Sequence, residues 1–150
     1  MERVRKALTA ANLLIRLLVK RANLNVDIKN LQKKYGASGG RVFRLYLKDL
    51  RKNFYFVIQD GRLVNLPNPK RVDGVIVTRF NPCLIDLLRG KMTVIINGKK
   101  AVKPYGPLEM WRYGDVETVG EISLPDVITF LSVFNEVAPI IKKDLADVIG

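Results

Sequence analysis

Residues Asp73–Lys91 most restrict what this chain can become, because they read as a strand running directly into a short, sharply punctuated helix. Val75 and Val77 alternate with Ile76, Thr78 and Phe80, which makes a strand apolar on both sides. Asn81 is suited to an N-cap, Pro82 to the first helical position, and Gly90 to the left-handed residue that ends a helix. Leu84, Ile85, Leu87 and Leu88 recur at helical spacing and leave Asp86 and Arg89 outside. A short helix folded back on a sheet is expected.

Around this unit the chain has to form one domain, or a small domain with an extension. It has 150 residues, 48% of them apolar, enough for a real core and too many for a disordered chain. Arg16, Lys20 and Arg21 break the most hydrophobic helix, so no apolar run reaches the ~18 residues that span a bilayer. The N-terminus has no apolar core followed by a small-residue cleavage site, so a secretory signal is not expected. A lone Cys83 excludes an internal disulfide, and without histidine or CxxC there is no zinc motif. The expectation is a soluble, cytoplasmic protein.

Charge is distributed unevenly. Residues 1–52 carry 14 Lys/Arg and 3 Asp/Glu, whereas the remainder carries 12 and 11. The basic end is therefore a candidate for contact with a polyanion.

In chain order, Val4, Leu8, Ala11, Ile15 and Leu18, widened by Leu14 and Leu17, mark one face of a first helix. Asp27 caps a second, short helix that carries Ile28, Leu31 and Tyr35 and ends at Gly36. A turn at residues 36–40 then leads to an expected third helix over Arg41–Lys52. Its Arg41, Arg44, Lys48, Arg51 and Lys52 would share one arc, opposite Phe43, Tyr46, Leu47 and Leu50.

Asp60-Gly61 is a strong two-residue turn signal between strands 54–59 and 62–66, and Asn97-Gly98 a second between 93–96 and 99–102. Pro104–Pro107 forms a loop, and Leu108–Ser123 reads as strand, turn and strand. Ser123-Leu-Pro-Asp126 opens a last helix with Val127, Phe130, Leu131, Phe134 and Val137 on one face. Pro139 kinks or restarts it, and Ile141, Leu145 and Val148 supply a final amphipathic turn or two. Helices, hairpin, strand, helix, strands and helix in that order describe an α+β fold with a mainly antiparallel sheet.

Two resemblances sharpen this reading. The run Ile28-Lys-Asn-Leu31, Gly36-Ala-Ser38, Val42 and Leu50 resembles a helix-turn-helix. That implies a recognition helix presenting Arg41, Arg44 and Lys48, with Arg51 and Lys52, to nucleic acid; a basic, solvated helix face is the alternative. Leu87-Leu-Arg-Gly-Lys-Met92 and the spaced Gly114 and Gly120 before an apolar helix resemble the sterol carrier protein 2 (SCP2) family over residues 53–137. Between Gly90 and Gly114 the chain is longer than that pattern, by enough for the Asn97-Gly98 hairpin. The resemblance implies an apolar tunnel for sterols, acyl chains or other lipids between sheet and last helix, lined by Phe56, Leu84, Leu88, Trp111, Phe130 and Phe134. Each of these six side chains could equally be filled core. The two resemblances compete for the hairpin at 54–66, as a wing or as part of the sheet. Residues 54–58 are too apolar for an exposed wing.

Support for catalysis is thin. Without histidine, Ser-His and Cys-His dyads are excluded. Cys83 at a helix start could favour a thiolate but reads more simply as a small buried residue. Asp115, Glu117, Glu121 and Asp126 could gather a hard metal ion, yet alternating acids on a strand usually form its wet side. The glycines at 36–40 lack the Lys-Ser/Thr ending of a phosphate loop. No cofactor and no metal are expected.

The chain thus reads as a non-enzymatic binding protein, with a basic helical part at 1–52 that contacts nucleic acid and an SCP2-like domain at 53–150 that holds an apolar small molecule or lipid. The alternative is a nucleic-acid or ribonucleoprotein component whose α+β domain is structural. A third possibility is a basic first helix lying on anionic membrane.

Overall fold

The computed structural model describes residues 2–141. Helix α1 (Glu2–Asn25) and helix α2 (Ile28–Tyr35) lead into strand β1 (Phe43–Leu47) and the hairpin β2 (Lys52–Gln59) and β3 (Arg62–Asn65). Strand β4 (Gly74–Thr78) passes through a π-turn at Phe80–Leu84 into α3 (Ile85–Arg89). The hairpin β5 (Lys91–Ile96) and β6 (Lys99–Pro104), helix α4 (Pro107–Arg112), strand β7 (Glu117–Gly120) and helix α5 (Leu124–Val137) follow. The turn expected at Leu145 and Val148 lies outside the described residues, whereas Ile141 is buried.

Among the described residues five strands form one sheet in the order β3-β2-β1-β4-β7, and β5 and β6 pair only with each other. All neighbours in the large sheet are antiparallel except β1 and β4. Strand alternation turns Phe43, Leu45 and Leu47 of β1, Phe54, Phe56 and Ile58 of β2, and Ile76 of β4 to one side, where all are buried. Against that side lies α5, which also packs on α1, α2, α3 and α4. Its Phe130 ring contacts Phe43 edge-on at 4.7 Å, Phe56 at 5.2 Å and Phe134 at 5.3 Å. The buried stripe of α1 runs through Ala11, Leu14, Ile15, Leu18 and Ala22, while Val4, expected on the same face, stays exposed.

Short polar side chains join the layers. Asp27 accepts from the Asn30 N–H and caps α2, and Gly36 closes that helix in the left-handed conformation. Asp73 accepts the Val42 N–H at 2.8 Å and so steers the chain into β1. Asn23 bonds both backbone groups of Leu63, at 2.8 and 2.9 Å, and fastens α1 to the edge strand β3. Gly39 passes so close to β2 that a Cβ would lie 2.7 Å from the Ile58 carbonyl, and its φ of +72° suits glycine alone.

Three expectations need correction. The third helix expected over 41–52 is strand β1 and the turn after it. Phe43, Leu45 and Leu47 alternate with Arg44 and Tyr46 as well as they match a helical period, and the vacancy between β2 and β4 selects the strand. This removes the recognition helix. The sheet therefore begins inside the basic N-terminal part.

Second, Asn81 has the extended backbone of an N-cap, φ −120° and ψ 124°, but its side chain accepts no helix N–H. The carboxylate of Asp49 instead receives the Phe80 and Asn81 N–H groups, at 2.8 and 3.1 Å. Third, Leu108–Arg112 is helical rather than extended, with Pro107 at its first position and Met110 buried beneath it. The hairpin at 54–66 is sheet and not wing, as its apolar composition led one to expect.

Phe130→Ala is expected to cost about 3–5 kcal/mol, since it opens a void where three elements meet. Urea unfolding followed by circular dichroism measures it. Removing residues 1–52 takes the central strand out of the sheet, and the remainder should then be insoluble or unfolded.

Candidate functional site

An open cleft of about 380 Å³ forms where two junctions between elements and the end of α5 converge. The α3–β5 junction supplies Leu88, Arg89 and Gly90; the β6–α4 junction supplies Pro104, Tyr105, Gly106 and Glu109; the end of α5 supplies Asn135, Ala138 and Pro139. Each segment has a local cause. Gly90 ends α3 with a φ of +71°, Pro104 closes β6 opposite Lys91, Pro107 opens α4, and α5 gives way at Pro139.

The lining is apolar along Leu88, Pro104, Ala138 and Pro139, with Arg89, Glu109 and Asn135 as its polar groups. The Asn135 amide donates to the Leu87 carbonyl, which ties α5 to the end of α3. A Cβ placed on Gly106 would lie 3.4 Å from Glu109 Oε1 and 3.6 Å from Asn135 Oδ1, so the two polar side chains converge on the space that glycine leaves. The arrangement suits an amphipathic guest, with apolar walls for its body and an amide, a carboxylate and a guanidinium for its polar end.

Behind the cleft is a buried polar cluster. The Tyr105 hydroxyl donates to Asp115 Oδ2 at 2.6 Å, and the Thr78 hydroxyl donates to the Asp115 carbonyl at 2.7 Å. Burial, followed by the bond to Asp115, pushes the Tyr105 phenol well above its ordinary range. Burial, followed by the nearby Asp115 charge, pushes the Cys83 thiol up as well. Asp86 is raised by burial against the pull of Arg89. A thiol held protonated is a poor nucleophile, whatever its place near a helix start.

The residues expected to line a tunnel are separated. Phe56, Leu84, Phe130 and Phe134 are fully buried, and the three phenylalanines belong to the aromatic cluster between sheet and α5. Leu88 lines the cleft. Trp111 is 40% exposed on α4.

The expected basic face is dispersed too. Arg41 pairs with Glu121 at 3.4 Å, and Arg44 lies 5.9 Å from the Tyr46 ring on the outer side of β1. Lys48 and Arg51 sit in the turn, and Lys52 begins β2 with its ammonium 5.4 Å from the Phe54 ring. Of the four acids considered for a metal, Asp115 holds Tyr105, Glu121 pairs with Arg41, and Asp126 bonds Ser123 and the Gly39 N–H. Among the described residues no group of three or more metal-ligating side chains forms.

Sequence reasoning missed Tyr105, Gly106, Glu109 and Asn135. The available signals were the Pro-Tyr-Gly-Pro run, too irregular to be a mere connector, and Asn135 as the first amide in an otherwise apolar helix.

Tyr105 and Cys83 have folded-state pKa values above their ordinary 10.0 and 9.0. The stability linked to their protonated forms is therefore complete below those values and falls as the pH rises through them, because the unfolded chain releases protons that the folded chain keeps. Denaturant midpoints at about pH 8 and about pH 11 should differ less in Tyr105→Phe than in the wild type.

No family model matches the sequence, and no curated protein does. Among solved structures, the chain is similar to one described as "UbiJ-SCP2 Ubiquinone synthesis protein", with a TM-score of 0.53 and 16% identity over 87% of this chain and 96% of that one. A stereoselective inverting sec-alkylsulfatase, Pisa1 from Pseudomonas sp., is similar over 64% of this chain and 12% of its own, at 11% identity and a TM-score of 0.37 from which nothing follows. Together with the sheet order and the helices gathered on one side, the first likeness establishes the SCP2-like α+β fold.

Proposed function

We propose that this chain is a non-enzymatic carrier that holds an apolar or amphipathic small molecule, such as a lipid, in the cleft between α3, α4 and the end of α5. The observation that carries the reading is the composition of that cleft, apolar walls with Arg89, Glu109 and Asn135 at hand, on an SCP2-like fold. The solved SCP2-like neighbour is described as a ubiquinone synthesis protein, which is compatible with a long apolar guest. Binding at the cleft leaves the Phe43–Phe56–Phe130–Phe134 cluster intact, whereas a tunnel through it would force those rings apart. Arg89 favours a guest with an anionic or hydrogen-bond-accepting end.

Native mass spectrometry of protein purified from cells, and titration with a fluorescent fatty acid, test this. Bound guest or saturable uptake is expected, with at least a tenfold loss of affinity in Gly106→Leu at unchanged thermal stability. Neither guest nor saturable uptake in the wild type would overturn the reading.

A further inference from the structure

Among the described residues the β5–β6 hairpin is bonded to no other strand, and its two sides differ. Met92 leans on the core, and Val94 and Ala101 on the same side are half-buried. The opposite side faces solvent with Ile95 74% and Val102 64% exposed; Ile96, beside the turn on the Met92 side, is 47% exposed at the tip. In the paired register Thr93 lies opposite Val102 and Ile95 opposite Lys100, so Ile95 and Val102 are diagonal neighbours on that outer side. Lys91, Lys99, Lys100 and Lys103 are exposed around them, and residues 91–104 contain no acid. The Asn97-Gly98 turn, with φ of 51° and 77°, holds the tip as a tight reversal, so the exposed side chains are presented on a stiff two-stranded ribbon.

Lysines on unpaired strands often serve only to prevent edge-to-edge aggregation. That role explains the charges and leaves the exposed isoleucines and valine without a purpose. A polyanion such as nucleic acid would also use the lysines alone. A bilayer with anionic headgroups uses both: aliphatic side chains enter the interface while long lysine stems lift their ammonium groups to the phosphates. The root of the hairpin, at Gly90 and Pro104, is also part of the cleft wall.

We infer that the β5–β6 hairpin is a membrane-docking element that inserts Ile95, Ile96 and Val102 into an anionic lipid surface and brings the cleft to it. The choice of lipid as partner rests on the hairpin's own chemistry; the link to guest loading rests on the carrier reading above.

Sedimentation of the full chain with phosphatidylcholine vesicles, with and without about one third phosphatidylserine, tests the proposal. Binding should need the anionic lipid. It should fall about fivefold for each of Lys99→Gln and Lys100→Gln, and by more than tenfold in the Ile95→Asp/Ile96→Asp double variant. All of these side chains are exposed, so thermal unfolding should not change. Arg3→Gln/Lys6→Gln on α1 should bind as the wild type does. Undiminished binding by the double variant, loss only in the α1 variant, or retention of the chain on duplex DNA but not on vesicles would each overturn the inference. Gly106→Leu should still dock on vesicles while failing to take up the fatty acid, and Ile95→Asp/Ile96→Asp should take up fatty acid from solution; loss of docking in the first overturns the proposal, whereas failure of uptake in the wild type counts against the carrier reading alone.

Discussion

Phe130 sets the geometry on which the other elements depend. It stands at the middle of α5 and touches β1 through Phe43, β2 through Phe56, and its own next turn through Phe134. Edge-on and tilted aromatic contacts fix orientation as well as distance, because the ring edge prefers the neighbouring ring's face. Once α5 is oriented across β1 and β2, α1 and α2 have one flank to cover and α3 and α4 the other. The central place of β1 follows from the same cluster, since Phe43 reaches Phe130 only if its strand lies beside β2.

The chain's strong positive charge hides a second constraint. Asp27, Asp49, Asp73 and Asp126 all accept backbone N–H groups in turns or at helix starts, and Asp115 holds Tyr105. Each of these carboxylates keeps its negative charge but is fixed at a turn or helix start, and none lies in the β5–β6 hairpin, whose lysines have no acid among them.

Signals confined to a few residues were legible in the sequence. Asp60-Gly61 and Asn97-Gly98 made the expected tight turns, with positive φ at both residues of each pair. Asp27 and Ser123 made their caps, Gly36 and Gly90 ended their helices, and residues 74–78 formed their strand. What failed depended on partners distant in sequence. Residues 43–47 satisfy a two-residue period as well as a helical one, and only β2 and β4 decide between them. Asp49 caps a turn more than thirty positions away, which no local pattern announces. The cleft is hidden in the sequence for the same reason: its walls are two element junctions and a helix end far apart along the chain, and the packing of α5 brings Asn135 to Gly106. Large apolar side chains drew attention to Phe56, Phe130 and Phe134, yet side chains of that size are what a core needs first.

The same division separates scaffold from site. The sheet and α5 are held by buried aromatic contacts, so they can tolerate irregular, partly polar segments at their margins. The cleft is made of such segments, a helix end, a proline-flanked loop and the last turn of α5. The hairpin continues directly from two of them and, among the described residues, bonds to no other strand. Its position can therefore respond to a surface without disturbing the ring cluster, while Met92 and the Tyr105 N–H, bonded to the Gly90 carbonyl at 3.0 Å, keep its root in register with the cleft. For the carrier role proposed above, this combination would supply a rigid body that keeps its fold and a rooted arm beside the cleft.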